Sequence, residues 1–117
     1  LFTFSEVTIF VESPEEIFII SEVFVDRDYH FSINERAVVI DIGANIGISS
    51  LIFSTLSGVE KIYSFEPVVD TYNQAQYNIS LNENIKSLVW IIDYYFFVNI
   101  LKELKCNNVV PKDLIQF

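Results

Sequence analysis

Two hydrophobic periods alternate along the chain, and the switches between them mark its elements. Phe4 to Val11 alternates loosely and is rich in Val, Ile, Thr and Phe, which predicts a strand. Ser13-Pro14-Glu15-Glu16 carries a helix-start signature, with Ser13 as cap, Pro14 at the first helical position and Glu16 closing a capping box. A short helix over Ile17 to Phe24 follows and ends before Asp26-Arg27-Asp28. Arg36 to Ile40 reads as the first core strand, and its unbroken apolar character suits a parallel strand covered on both faces. Ile46 to Leu56 predicts a crossover helix stopped by Gly58. Lys61 to Glu66 is a second strand, punctuated by Pro67, and Asp70 to Leu81 is a second helix with Tyr72, Ala75, Tyr77 and Ile79 on its apolar side. Ser87 to Ile92 gives a third strand, and Tyr94 to Lys105 a third helix with Phe97, Ile100, Leu101 and Leu104 on one face. Trp90 and the Phe96-Phe97 pair read as core aromatics, and residues 107–117 carry only a weak signal.

Strands alternating with helices build βαβ units, hence an α/β fold with a parallel sheet, flanking helices and right-handed crossovers. The chain reads as one partial domain over residues 1–117: a lead-in over 1–35, a βαβαβ core over 36–93 and a helical tail over 94–117. Three parallel strands make half of a doubly wound sheet. In the full sheet the first strand would lie at the centre, its far side paired by later strands, so the sheet is expected to be incomplete and to leave an edge that something else must cover. The chain starts at Leu1 and contains no methionine, which suggests a fragment.

Composition narrows the partners. With 16 acidic against 7 basic residues the formal charge is −9, which argues against binding a phosphate backbone and favours a neutral or cationic small molecule. A single cysteine, Cys106, cannot form an internal disulfide, so nothing asks for an oxidising compartment and a cytoplasmic location is expected. The N-terminus lacks a secretory pattern. The longest apolar stretch, Leu88 to Leu101, is broken by Asp93 and Asn99 and falls short of the ~20 residues of a membrane span. No cluster shows metal-ligand spacing. The oligomeric state is not legible, although an uncovered sheet edge would be relieved by dimerisation.

The candidate chemistry lies in Asp41-Ile42-Gly43-Ala44-Asn45-Ile46-Gly47, which holds two of the chain's three glycines between a strand and a helix start. Such a turn lets backbone approach a nucleotide-like ligand closely. Glu66 stands nineteen residues past Gly47 at the end of the second strand, where folds of this plan hold ribose hydroxyls. Asp41 and Asn45 also admit a purely local reading, as caps of the turn and the helix start. His30 is the only histidine, but in a pre-strand segment it reads as structural or solvent-facing rather than as a general base. Tyr29 reads as packing more readily than as a cleft residue, and Cys106 lacks the basic neighbour that would activate it. A nicotinamide-dinucleotide site is an alternative with the same strand-turn-helix plan, but it asks for G-x-G-x-x-G, and Asn45 stands at the second glycine position.

With these residues in place the chain resembles the FkbM-type S-adenosylmethionine-dependent methyltransferases. Val38-Val39-Ile40-Asp41-Ile42-Gly43-Ala44-Asn45-Ile46-Gly47-Ile48-Ser49-Ser50 is similar to their first motif, and Phe65-Glu66-Pro67 to their acidic loop. Asn78-Ile79 and Leu81-Asn82 match an asparagine pair of the family, and Glu22-Val23-Phe24 with Tyr29-His30-Phe31 resembles its lead-in. The resemblance runs from Glu22 to Asn82 and fades after Asn84, where the family's Lys-x-Asp-x-Glu-Gly-type motif does not appear. It implies a Rossmann-like class I methyltransferase fold, S-adenosylmethionine as cofactor, and methyl transfer to a hydroxyl of a sugar or a polyketide-like metabolite. It assigns cofactor binding to Asp41, Gly43, Ala44, Asn45, Gly47, Glu66 and Pro67. To these it adds Asp93 at the end of the third strand, where related enzymes place an adenine contact and where a solvated carboxylate is the plain alternative. It names no catalytic base. Without the later motif, the competing expectation is a truncated remnant that binds cofactor but does not turn over.

Overall fold

The computed structural model describes residues 1–4, 6–25, 35–85, 88–93, 95–96, 98–99 and 102–103. Tyr29, His30, Cys106, Phe97 and the tail from 104 onward lie outside the described residues. The first element is a hairpin, not the single strand expected over Phe4 to Val11. β1 (Phe2–Phe4) pairs antiparallel with β2 (Val7–Ile9). The reversal falls at Glu6, whose φ of 71° breaks the extended run that the Val/Ile/Thr content suggested.

α1 (Pro14–Ile20) begins at the expected first helical position, Pro14, and passes into a π-helical turn, Ser21–Val25. Ser13 caps it as expected, its Oγ accepting the Glu16 N–H at 3.3 Å. The Glu16 carboxylate reaches back to the N–H of Glu12 at 2.6 Å, one residue beyond the usual partner in a capping box.

The core follows as β3 (Ala37–Ile42), α2 (Ile48–Ser54), β4 (Val59–Glu66), α3 (Val69–Ser80) and β5 (Val89–Asp93). The strands form a parallel sheet in the order β3-β4-β5, with Asp41 beside Ser64 and Glu66 beside Asp93. The expected α/β architecture with flanking helices is therefore present. Helices α2 and α3 cover one face. Beneath them Ile62, Ser64 and Val89 are buried, and Leu51 and Ile79 of the helices complete that core with Val7 and Ile9 of the hairpin.

The opposite face contradicts the expectation of a first strand covered on both sides. Val38, Ile40 and Ile42 alternate outward along β3 and are 59%, 65% and 80% exposed. In the neighbouring strands Tyr63 and Trp90 stand level with Ile40. Trp90 is 54% exposed, and Phe96, after β5, is 56% exposed, so neither is a core aromatic among the described residues. The physical reason is topological. Both crossovers advance the sheet in the same direction, and right-handed connections then place both helices on the same side. Lys61 partly shields the bare aromatics, its Nζ lying 4.3 Å from the Trp90 ring centroid.

The two faces are expected to respond differently to substitution. Ile62→Ala, under the helices, is expected to cost ~2–5 kcal/mol in urea unfolding. Ile40→Thr, on the bare face, should stay within about 0.5 kcal/mol of the parent chain. Equal costs at the two positions would mean that the face of Ile40 is buried in solution.

Candidate functional site

The site is built where β3 ends. Gly43, Asn45 and Gly47 have φ of 80°, 53° and 89°, so the chain passes three times through the left-handed region within five residues. That alternation turns the backbone tightly enough to start α2 immediately at Ile48. The two glycines serve different ends. A Cβ on Gly43 would meet nothing within 4 Å, so its exposed backbone faces open space. A Cβ on Gly47 would lie 3.4 Å from Ala75, because here the turn packs against α3.

β4 supplies the floor. The Phe65 carbonyl accepts the N–H groups of Gly43 and Ala44 at 2.9 and 3.1 Å, and the Ala44 carbonyl accepts the Gly47 N–H at 2.9 Å. Glu66 then clamps two loops together. One carboxylate oxygen accepts the Asn45 N–H at 2.8 Å and the other the Val68 N–H at 2.9 Å. The residue is 6% exposed, and each oxygen keeps a further lone pair.

Asp41, half-buried, lies on the helix side of β3. Its Oδ2 accepts the hydroxyls of Ser49 and Ser50 at 2.7 and 2.6 Å, and Ser50 also shares a 2.7 Å hydrogen bond with Ser64 of β4. Gly47 is the N-cap of α2 and no capping side chain accepts a backbone N–H there; Asp41 ties the helix start through the hydroxyls of Ser49 and Ser50, and Asn45 contributes its backbone N–H to Glu66.

Asp41, Gly43, Ala44, Asn45, Gly47 and Glu66 are thus brought together around one turn, and Pro67 is exposed just beyond Glu66. Asp93 stands level with Glu66 at the next strand end, where its Oδ1 accepts the Phe96 N–H at 2.9 Å. Nearby, partial burial and then the Asp93 carboxylate push the Tyr72 phenol above its usual range. Sequence reasoning passed over Ser49, Ser50 and Ser64 as chemistry, although the first two stand within three residues of Gly47 and the third two residues before Glu66. It also gave no role to Asn78, which is fully buried on α3 and donates its Nδ2 to the Ile46 carbonyl of the turn at 2.8 Å.

Among the described residues no group of His, Cys, Asp and Glu could hold a metal, and no helix is long and apolar enough to cross a membrane.

No known protein-family profile matches the chain. Methyltransferase sdnD of Sordaria araneosa is 32% identical over 79 residues, which are 67% of this chain and 30% of that protein. Among solved structures, the N-terminal domain of human METTL16 in complex with SAH is 20% identical, covers 74% of this chain and 36% of that one, and has a TM-score of 0.49. The YcgJ protein from Bacillus subtilis is 17% identical, covers 65% and 30%, and has a TM-score of 0.44. The chain spans about a third of the length of these proteins. By sequence, two thirds of this chain is similar to part of a methyltransferase.

Proposed function

We propose that this chain binds S-adenosylmethionine at the Gly43–Gly47 turn and serves methyl transfer to a hydroxyl group of a small molecule, as an FkbM-type O-methyltransferase. The observation that carries the reading is the turn itself. Gly43 presents backbone to open space, and Glu66 is fixed beside it by two backbone amides. Similarity to Methyltransferase sdnD supports the cofactor class. The resemblance of Phe65-Glu66-Pro67 and of Asn78 and Asn82 to the FkbM pattern supports the subtype and, with it, a sugar or polyketide-like acceptor.

Each residue has a task suited to its chemistry. Gly43 and Ala44 give the backbone close approach to the cofactor. Glu66, already oriented, uses its remaining lone pairs to accept from a ribose diol in charge-assisted hydrogen bonds. Asp41 holds negative charge beside the cofactor's ammonium group, and its two serine partners keep it in place. Asp93 and Pro67 border the adenine side. When bound, the cofactor supplies an electrophilic methyl on a sulfonium, and the chain's contribution is to position it in line with the acceptor oxygen.

The test is calorimetric titration of the chain with S-adenosylhomocysteine beside NAD. S-adenosylhomocysteine is expected to bind and NAD not, with affinity reduced at least about tenfold in Glu66→Gln, where an NH₂ replaces one of the two acceptors facing backbone N–H groups. Binding of NAD in preference would overturn the reading.

Two further outcomes follow from the same geometry. Gly43→Ala and Gly47→Ala should each cost ~1–3 kcal/mol of stability, because both force a left-handed alanine. Only Gly43→Ala should weaken S-adenosylhomocysteine beyond that shared effect, because its methyl enters the open space before the turn. Raising salt from about 0.05 to about 0.5 M should weaken S-adenosylmethionine more than S-adenosylhomocysteine, since only the former carries the sulfonium charge that this acidic chain attracts.

A further inference from the structure

Asn78 joins two parts of the molecule that are distant in sequence. Its Oδ1 accepts the Phe10 N–H at 2.7 Å, and its Nδ2 donates to the Ile46 carbonyl at 2.8 Å. Those partners fix the orientation of the amide, because a backbone N–H can only donate and a carbonyl can only accept. The Ile46 carbonyl belongs to the same peptide plane as the Gly47 N–H, which is bound by the Ala44 carbonyl at 2.9 Å. Asn78 and Ala44 therefore hold that plane from its two ends, and the plane sets the left-handed conformation of Gly47.

One helical turn on, Asn82 binds both backbone groups of Thr8, taking its N–H and donating to its carbonyl, each at 2.8 Å. Its remaining side-chain bond, to the Asn78 carbonyl at 2.7 Å, closes the C-terminal end of α3 and does not reach the turn. Asn82 thus docks the N-terminal hairpin alone, whereas Asn78 docks the following residue Phe10 and shapes the turn with one side chain.

We propose that Asn78 is a positioning residue that couples docking of the N-terminal segment to the shape of the glycine turn, so that ligand binding at the turn and docking at Phe10 strengthen each other. The inference rests on the cofactor reading of that turn. Reciprocity is a thermodynamic requirement: whatever affinity the ligand gains from a docked segment, the segment gains in docking from the ligand. A single buried hydrogen bond to the turn carries a coupling on the order of tenfold.

The experiment is residue-resolved amide hydrogen exchange on the full chain, with and without S-adenosylhomocysteine, comparing Phe10 with Thr8. In the parent chain, saturating ligand is expected to slow Phe10 about tenfold more than Thr8. Asn78→Asp keeps an acceptor for Phe10 but turns a second acceptor toward Ile46. In it, Phe10 should remain protected without ligand, ligand affinity should fall about tenfold, and the selective slowing should vanish. Equal slowing of Phe10 and Thr8 in the parent chain would overturn the coupling, since a merely structural asparagine protects both alike; this comparison needs no variant to fold. Equal ligand affinity in Asn78→Asp and the parent would also overturn it while leaving the cofactor reading intact. Absence of binding to the folded parent chain would overturn both.

Discussion

The buried Glu66 carboxylate is the constraint on which the site depends. A charge at 6% exposure is costly unless its oxygens are satisfied, and here two backbone amides from separate loops satisfy them. The amides can reach it only because β3 and β4 run parallel with Ile42 beside Phe65, which brings the end of β3 over the end of β4. Asn45 must then turn left-handed to aim its N–H back at the carboxylate, and the positive φ of the flanking glycines lets the chain do so within five residues. One acidic side chain thereby ties the sheet register, the turn and the start of α3 together.

Around that anchor the interior is polar in a controlled way. Asp41, Ser49, Ser50 and Ser64 form a hydroxyl-carboxylate chain between β3, α2 and β4, while Asn78 and Asn82 act as strand-like partners for the N-terminal segment. Among the described residues no buried side-chain nitrogen or oxygen lacks a partner. This matters for α2, whose seven residues are too few to be stable as an isolated helix. Its apolar side is buried through Leu51, Ile52 and Phe53, and its first turn is held by the two serines on Asp41.

The order of the core elements was legible because period, glycines and proline agreed. β3, β4, β5 and both crossover helices appear where alternation and punctuation place them, with ends displaced by at most two residues. The failures have local causes. The hairpin was hidden because Phe, Thr, Val and Ile dominate both sides of Ser5-Glu6, and the reversal at Glu6 uses no glycine or proline. Apolar character along β3 did not reveal that only one of its faces is covered, since a strand bare on one side and a strand covered on both can share the same Val/Ile run. Trp90 failed for the same reason, with hydrophobicity standing in for burial. At the site, the turn and Glu66 were readable from spacing, but the bonds that fix them were not. Asn78 and Asn82 were visible as a pair four residues apart, yet their partners Phe10 and Thr8 lie 68 and 74 residues away along the chain.

Charge adds a last discrimination between cofactor classes. Asp41 and Glu66 are satisfied by hydroxyls and amides, which stabilise their charges without cancelling them. Of the described basic side chains near the sheet, Arg36 pairs with Glu60 and Lys61 lies over Trp90, so neither neutralises the two site carboxylates. Among the described residues, then, neither site carboxylate has a cationic partner, within a chain of formal charge −9. A ligand carrying ammonium and sulfonium groups is drawn to such carboxylates, whereas the pyrophosphate of a dinucleotide is repelled by them. The same strand-turn-helix backbone can serve either ligand, and two carboxylates with no cationic partner among the described residues support the proposed cationic cofactor.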